Sequence, residues 1–341
     1  MSEAAARLPG IRTRVARVAA AAGGRGGALI ILVALVIGFT IATPNFFTEQ
    51  NLLNILRQYS VPMILAVGQT IVIVSRGIDL SVASTSALSG SLMGVAFAHW
   101  GWPEPAALAL GVAAGFAVGA FNGFVITKWH VPDFIATLGT FSAVRGIALL
   151  ITDGLPVPDF AKAQEGRTIP ASVNTLGSES LLGIPLIAVV ALACVLVGGF
   201  ILGRTTLGRA AYAIGGNTEA ARVSGIRVER SKVWIYIISG VFAAIAGFML
   251  TGRQGSANAL MGEGMELQSI AAVVIGGTNL FGGEGRVSGT VIGILVIAVI
   301  GNGLQILGVA EFWQRVVNGL IIVAVVAIDQ WRRRQARLET V

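Results

Sequence analysis

The sequence predicts an all-α polytopic membrane protein with about ten transmembrane helices, some of them broken. Three observations carry the prediction. Hydrophobic residues make up 55% of the 341-residue chain and charged residues only 12%, about half the charge fraction usual in soluble domains. Apolar stretches approaching the length of a bilayer crossing recur along nearly the whole chain. Glycine, at 45 residues, is common enough to allow close helix approach in lipid, where packing replaces the hydrophobic drive.

The apolar stretches fall at about 28–44, 58–75, 82–99, 105–127, 131–152, 183–203, 233–251, 267–282, 287–308 and 316–330. Serine and glycine interrupt the third, and the eighth is short, broken by Gly276-Gly277-Thr278 and Gly282-Gly283. Arginines ahead of Ala28–Phe39, with Thr40-Ile41-Ala42 behind, resemble a secretory signal; an uncleaved first helix is expected, because the remaining chain is itself a series of spans. Asn45-Phe46-Phe47-Thr48 reads as interfacial, since aromatic rings favour the headgroup level. Segment 153–182, rich in Pro, Gly, Ser and Thr, is expected to form short turns or a helix against the outer mouth. The organisation is then a cytoplasmic tail at 1–27, a transmembrane domain at 28–330 with a polar loop at 204–232, and a cytoplasmic tail at 331–341.

Charge tests this topology. Arg7, Arg12, Arg14, Arg17 and Arg25 precede the first stretch, and Arg332, Arg333, Arg334 and Arg337 follow the last; basic residues beside spans mark the cytoplasmic side. Ten spans place Arg76, Lys128, Arg286 and the loop residues Arg204, Arg209, Arg222, Arg227, Arg230 and Lys232 on that side too. The other side mixes Arg57, Lys162, Arg167, Arg253 and Arg315 with Asp and Glu. The net charge of +7 therefore belongs to topology and lipid contact, not to nucleic acid. Cys194, the single cysteine, lies in an apolar run and reads as packing. His99 and His130 form no spaced ligand set with it, so no metal site is expected.

Three local features stand out. Ser75-Arg76-Gly77-Ile78-Asp79-Leu80-Ser81-Val82 joins the second and third stretches on the inner side. Asp79 or Ser81 is a candidate cap for the next helix, and Gly77 permits a turn with positive φ. A capped hairpin explains this pattern; a second reading pairs Arg76 with Asp79 or with a cytoplasmic partner. Late in the chain, Gly276 to Arg286 holds too many glycines for a regular helix. It reads as a broken helix or re-entrant turn with Gly282, Gly283 and Arg286 near the inner face, and it lacks the lysine-serine/threonine ending of a phosphate loop. In the polar loop, Asn217 can cap Thr218–Val223 and Gly225 can stop it, with Arg209 and Arg222 on the flanks and Ala220 and Ala221 permitting close approach. So short a helix is marginal alone; docking on a partner and a solvated, purely topogenic loop both fit.

Within the spans, Arg145 is the outstanding charge, suited to snorkelling or packing or to lining a translocation path. Gln69, Asn122, Thr137, Thr140, Asn302 and Gln305 offer hydrogen bonds either to a neutral polar solute or between helices. Asp133, after Pro132, reads as a helix cap. The scarcity of other buried carboxylates disfavours a proton-driven pump.

Gly68-Gln69-Thr70 through Ser81, Leu207-Gly208-Arg209 through Gly215-Gly216-Asn217 to Ile226, and Ala271 through Gly276-Gly277-Thr278 to Arg286 together resemble the permease subunits of bacterial ATP-binding-cassette importers for monosaccharides. These ribose-type permeases belong to the branched-chain amino acid/sugar permease superfamily, and the resemblance extends from Pro44 to Asp329. It implies a type II-like importer fold with both termini cytoplasmic in the bacterial cytoplasmic membrane. It further implies a second permease copy, cytoplasmic ATPases that bind ATP and Mg, and an extracytoplasmic sugar-binding protein. This chain itself is then no enzyme and holds no cofactor. The stretch from Gly215 to Gly225 matches the family's coupling helix. Ala83 replaces a glycine often seen in the family, and Glu284 stands where a basic residue is frequent, which puts an inner-face contact in question. Import of branched-chain amino acids or nucleosides is an alternative. A stand-alone channel or secondary transporter is another; a scaffold would leave the broken helices and Arg145 without a purpose.

Overall fold

The structure, a computed structural model, describes residues 27–310 and scattered positions from 312 to 327. The two tails, apart from Gly27, and much of the last apolar stretch lie outside the described residues. The chain runs α1 (Gly27–Ala42), α2 (Glu49–Val74), α3 (Val82–Gly94) continued by a π-turn at Val95–His99, α4 (Glu104–Lys128) and α5 (Asp133–Thr152). After α5 come the short α6 (Phe160–Gln164) and α7 (Ala171–Ser178) and an antiparallel hairpin of β1 (Ser180–Leu181) and β2 (Ile184–Pro185). Then follow α8 (Leu186–Arg204), α9 (Thr206–Gly216), α10 (Thr218–Val223), α11 (Val228–Gln254), α12 (Met265–Ile275) and α13 (Val287–Ile306). Among the described residues five helices, α4, α5, α8, α11 and α13, are each long and apolar enough to cross a bilayer, while α1 and α12 are shorter apolar helices. The protein is an all-α polytopic membrane protein.

Glycine sets the central contact. Gly111, Gly115, Gly119 and Gly123 recur every fourth residue and so share one face of α4. A Cβ on Gly115 would meet the carbonyl of Gly240, one on Gly119 the carbonyl of Tyr236, and one on Gly123 would lie 2.6 Å from the Cα of Val233. The α4 and α11 backbones therefore touch at three points over about two turns, the small-residue packing that lipid-embedded helices use.

The ambiguous third stretch becomes α3 and its π-turn. Its 13 helical residues are almost all buried, wrapped by α4, α5 and α11, so a serine-rich helix too short to cross is shielded by protein. The eighth stretch yields α12, only 11 residues long and thus about 16 Å. It starts at Gly264 in the left-handed region and ends at Gly276. Segment 153–182 lies on the bundle as α6 and α7. Gly177 sits on the Gly252–Arg253 backbone, and Val157 pairs with Ala257 in a two-way bridge at 2.8 Å.

Candidate functional site

Three stretches distant in sequence meet on the face carrying the arginine loop. On α9, a Cβ at Gly215 would meet the carbonyl of Val74 and the amide of Gly283. That amide donates to the Val74 carbonyl at 2.9 Å, and a Cβ on Gly282 would come 2.8 Å from that of Arg76. Tyr212 closes the seam by donating to the Gly285 carbonyl at 2.7 Å; burial pushes its phenol pKa up, against the opposing pull of Arg286, so it stays a donor. Gly277, Gly282 and Gly283 hold φ of 88°, 85° and 80°, a left-handed run that side chains resist. The turns 75–81 and 276–286 thus form one plate with α9.

From this plate α10 projects as the loop's grammar predicts. The Asn217 side chain accepts from the Ala220 amide at 3.0 Å. At the other end Gly225, with φ 85°, donates to Arg222 and Ile226 donates to Ala221, each at 3.0 Å, closing the helix as a Schellman motif. Ala221 points inward against Ile214 and Val228, so Ala220 alone of the two alanines is free to meet another surface. Val223, 88% exposed, joins it. Arg222 pairs with Glu229 at 2.7 Å, and Arg209 is exposed.

The first turn differs from its sequence reading. Arg76 and Asp79 do not pair. Asp79 is 2% exposed; its Oδ1 accepts from the Ser81 amide at 3.0 Å and hydroxyl at 2.6 Å, and its Oδ2 from Ser239 at 2.9 Å. A buried carboxylate requires such donors, whereas Arg76 turns outward. Positive φ belongs to Arg76, at 63°, not to Gly77. Gly77 is required for space, since a Cβ there would lie 2.7 Å from both Asp133 Oδ2 and the Tyr236 hydroxyl. Ser81 makes no side-chain cap, because Asp79 takes its proton and Asn122 donates to it at 2.9 Å. Asp133 is no cap either: it accepts from Lys232 at 2.9 Å and Tyr236 at 2.7 Å.

Several candidate path residues serve this same turn. The Thr137 hydroxyl lies 2.8 Å from the Asp133 carbonyl one turn back and 3.1 Å from the Ile78 carbonyl, and shares its proton between them. The Gln69 side-chain amide, oriented to satisfy both groups, donates to the Asp79 carbonyl at 3.1 Å and accepts from its amide at 3.2 Å. Thr140 bonds back to Ala136 at 2.9 Å. Asn302 exchanges two 2.9 Å bonds with Asn51, and Gln305 is exposed on the opposite face. Arg145 donates to the carbonyls of Ala259 and Met261, clasping the loop between α11 and α12; its Nη2 and the Glu266 Oε2 are left without partners. Sequence reasoning missed Tyr236 and Ser239 and read Lys232 only as a basic loop residue, not as the partner of Asp133. Their spacing of four and three along α11 was a legible one-face signal.

Among the described residues no three His, Cys, Asp or Glu side chains gather as a metal set. The family model described as "Branched-chain amino acid transport system / permease component" matches residues 51–326. Curated relatives include the Ribose import permease protein RbsC of Bacillus subtilis (strain 168), 42% identical over 304 residues that cover 89% of this chain and 92% of the relative. RbsC of Escherichia coli (strain K12) is 41% identical, covering 89% and 91%. The Xylose transport system permease protein XylH of the same strain is 35% identical, also covering 89% and 91%. No solved structure matches. A match running from α2 past α13, with the plate and its projecting helix inside it, makes this chain a member of the branched-chain amino acid transport system permease family.

Proposed function

We propose that the chain is the transmembrane subunit of an ATP-driven importer that moves a monosaccharide inward. One observation carries the reading: a doubly capped helix, α10, exposes Ala220, Arg222 and Val223 while its root is locked to the turns 75–81 and 276–286. Exposed small and apolar residues on a rigid stub suit docking, and the lock passes a push on α10 into the bundle. ATP and Mg belong to a separate cytoplasmic ATPase, which this stub meets. Relatives named for ribose and xylose point to a pentose-sized sugar. On this reading the arginine face is cytoplasmic, both termini lie there, and the stretch at 316–330 completes ten spans of a bacterial cytoplasmic-membrane protein. A second permease copy completes the path, and a sugar-binding protein delivers at the opposite face. Arg145, on the largely exposed α5, borders that path.

The test is uptake of labelled D-ribose, D-xylose and L-leucine into proteoliposomes. Import is expected only with ATPase and binding protein both present, and for a pentose. Flux through the permease alone would make it a channel or secondary carrier, and leucine uptake would move it to amino acids.

A further inference from the structure

On the face opposite the arginine loop, α2, α11 and α13 leave an open cup of about 540 Å³, within the range of small-molecule sites. Its wall is Asn54, Arg57, Gln58, Arg253 and Gln305, over the Asn51–Asn302 pair, with Ile306 at one edge. No carboxylate lines the cup itself, and Glu49 lines an adjoining hollow that shares Asn54 and Arg57 with it. Carboxamides both donate and accept, which suits hydroxyl groups that do the same.

Each arginine is anchored before any solute arrives. Arg253 Nη1 donates to the carbonyls of Arg57 and Gln58 at 3.3 and 3.1 Å. Arg57 Nη2 donates to the Ser180 hydroxyl of the β-hairpin at 3.0 Å. Their remaining N–H groups are held in place, so a guest does not bear the cost of ordering those side chains. A wall of fixed donors, amides of both polarities and no acid favours a neutral polyol over a cation. The two guanidinium groups alone would also suit an anion; the five carboxamides around them supply the paired donors and acceptors that hydroxyl groups match.

The geometry points to this cup as an extracytoplasmic receiving site for a neutral polyhydroxylated solute, which takes the sugar from the binding protein before it enters the path. This inference rests on the monosaccharide reading above. Cys194 is buried, so a new thiol in the cup is the reactive one among the described residues. Gln305→Cys and Asn54→Cys are labelled with a maleimide in the permease–ATPase complex without binding protein, and Leu182→Cys on the exposed hairpin serves as control. D-Ribose at several times its Kd is expected to slow labelling of both cup cysteines by about threefold or more. L-Leucine leaves them unchanged, and neither compound affects the control.

Equal rates with and without D-ribose and D-xylose at both positions would overturn the proposal. So would protection by sugar-free binding protein where sugar alone gives none, which would make the cup a protein contact. Failure of the monosaccharide reading shows elsewhere, as absence of pentose uptake by the unmodified complex. Insensitive labelling beside intact pentose uptake removes the cup alone.

Discussion

Arg253 donates to the main-chain carbonyl of Gln58 at 3.1 Å. Pro62, four residues further along α2, has no N–H to offer that carbonyl, so a side chain from α11 completes the ladder. Arg253→Met is expected to cost about 1 kcal/mol of unfolding free energy in detergent. Pro62→Ala supplies the missing backbone donor and should shrink that cost in the double variant. An equal cost in both backgrounds would break the link.

Gly215 and Gly216 are adjacent but not equivalent. A Cβ at Gly215 would strike the Val74 carbonyl and the Gly283 amide, whereas one at Gly216 finds nothing within 4 Å. Gly216→Ala is therefore expected to keep binding-protein-stimulated ATP hydrolysis, while Gly215→Val separates the plate and abolishes it at normal membrane abundance. Equal hydrolysis in the two variants would contradict the packing argument.

Lys232 and Asp133 form a 2.9 Å pair whose side chains are 15% and 19% exposed. Removing one charge strands the other, so Lys232→Met is expected to destabilise by about 3 kcal/mol. Lys232→Met with Asp133→Leu should recover much of this, because a buried pair is often replaceable by apolar groups. Thermal unfolding of the detergent-solubilised variants reads both.

At the tip of α10, Val223→Asp places a charge at the proposed ATPase contact, and Arg222→Glu sets like charge against Glu229. Each should weaken ATPase docking by about tenfold, near 1.4 kcal/mol, with insertion intact. Co-purification and stimulated hydrolysis are the measurements; full stimulation of both would leave the loop with topology as its only role.

Much of this was legible in the sequence. Asn217 and Gly225 bracket α10 as local rules require, because capping depends on residues a few positions away. The apolar lengths of α4, α5 and α13 are likewise legible, because spanning a bilayer depends on a continuous run of local composition. What the sequence hid is long-range. Asp79 has Arg76 close by in sequence, yet Ser239 reaches it from α11, 160 positions away. Arg145 binds carbonyls, acceptors that every residue carries and that no side-chain pattern marks. Gly77 looked like a turn former, but the space taken by Asp133 and Tyr236 dictates it. Burial decides these cases, and burial is settled by topology rather than by neighbours.

The glycine seam between α4 and α11 has a mechanical consequence. Backbones in direct contact cannot slide past one another without separating, so α11 moves with its neighbour as a stiff rod. That rod has 27 residues, about 40 Å of helix. It begins beside α10, and its last turn carries Arg253 on the rim of the proposed receiving cup. Tilting it by about 5° would carry its far end roughly 3.5 Å, enough to part hydrogen bonds. On the proposed reading, a push delivered at α10 would reach the opposite face through this rod itself, with both ends moving together.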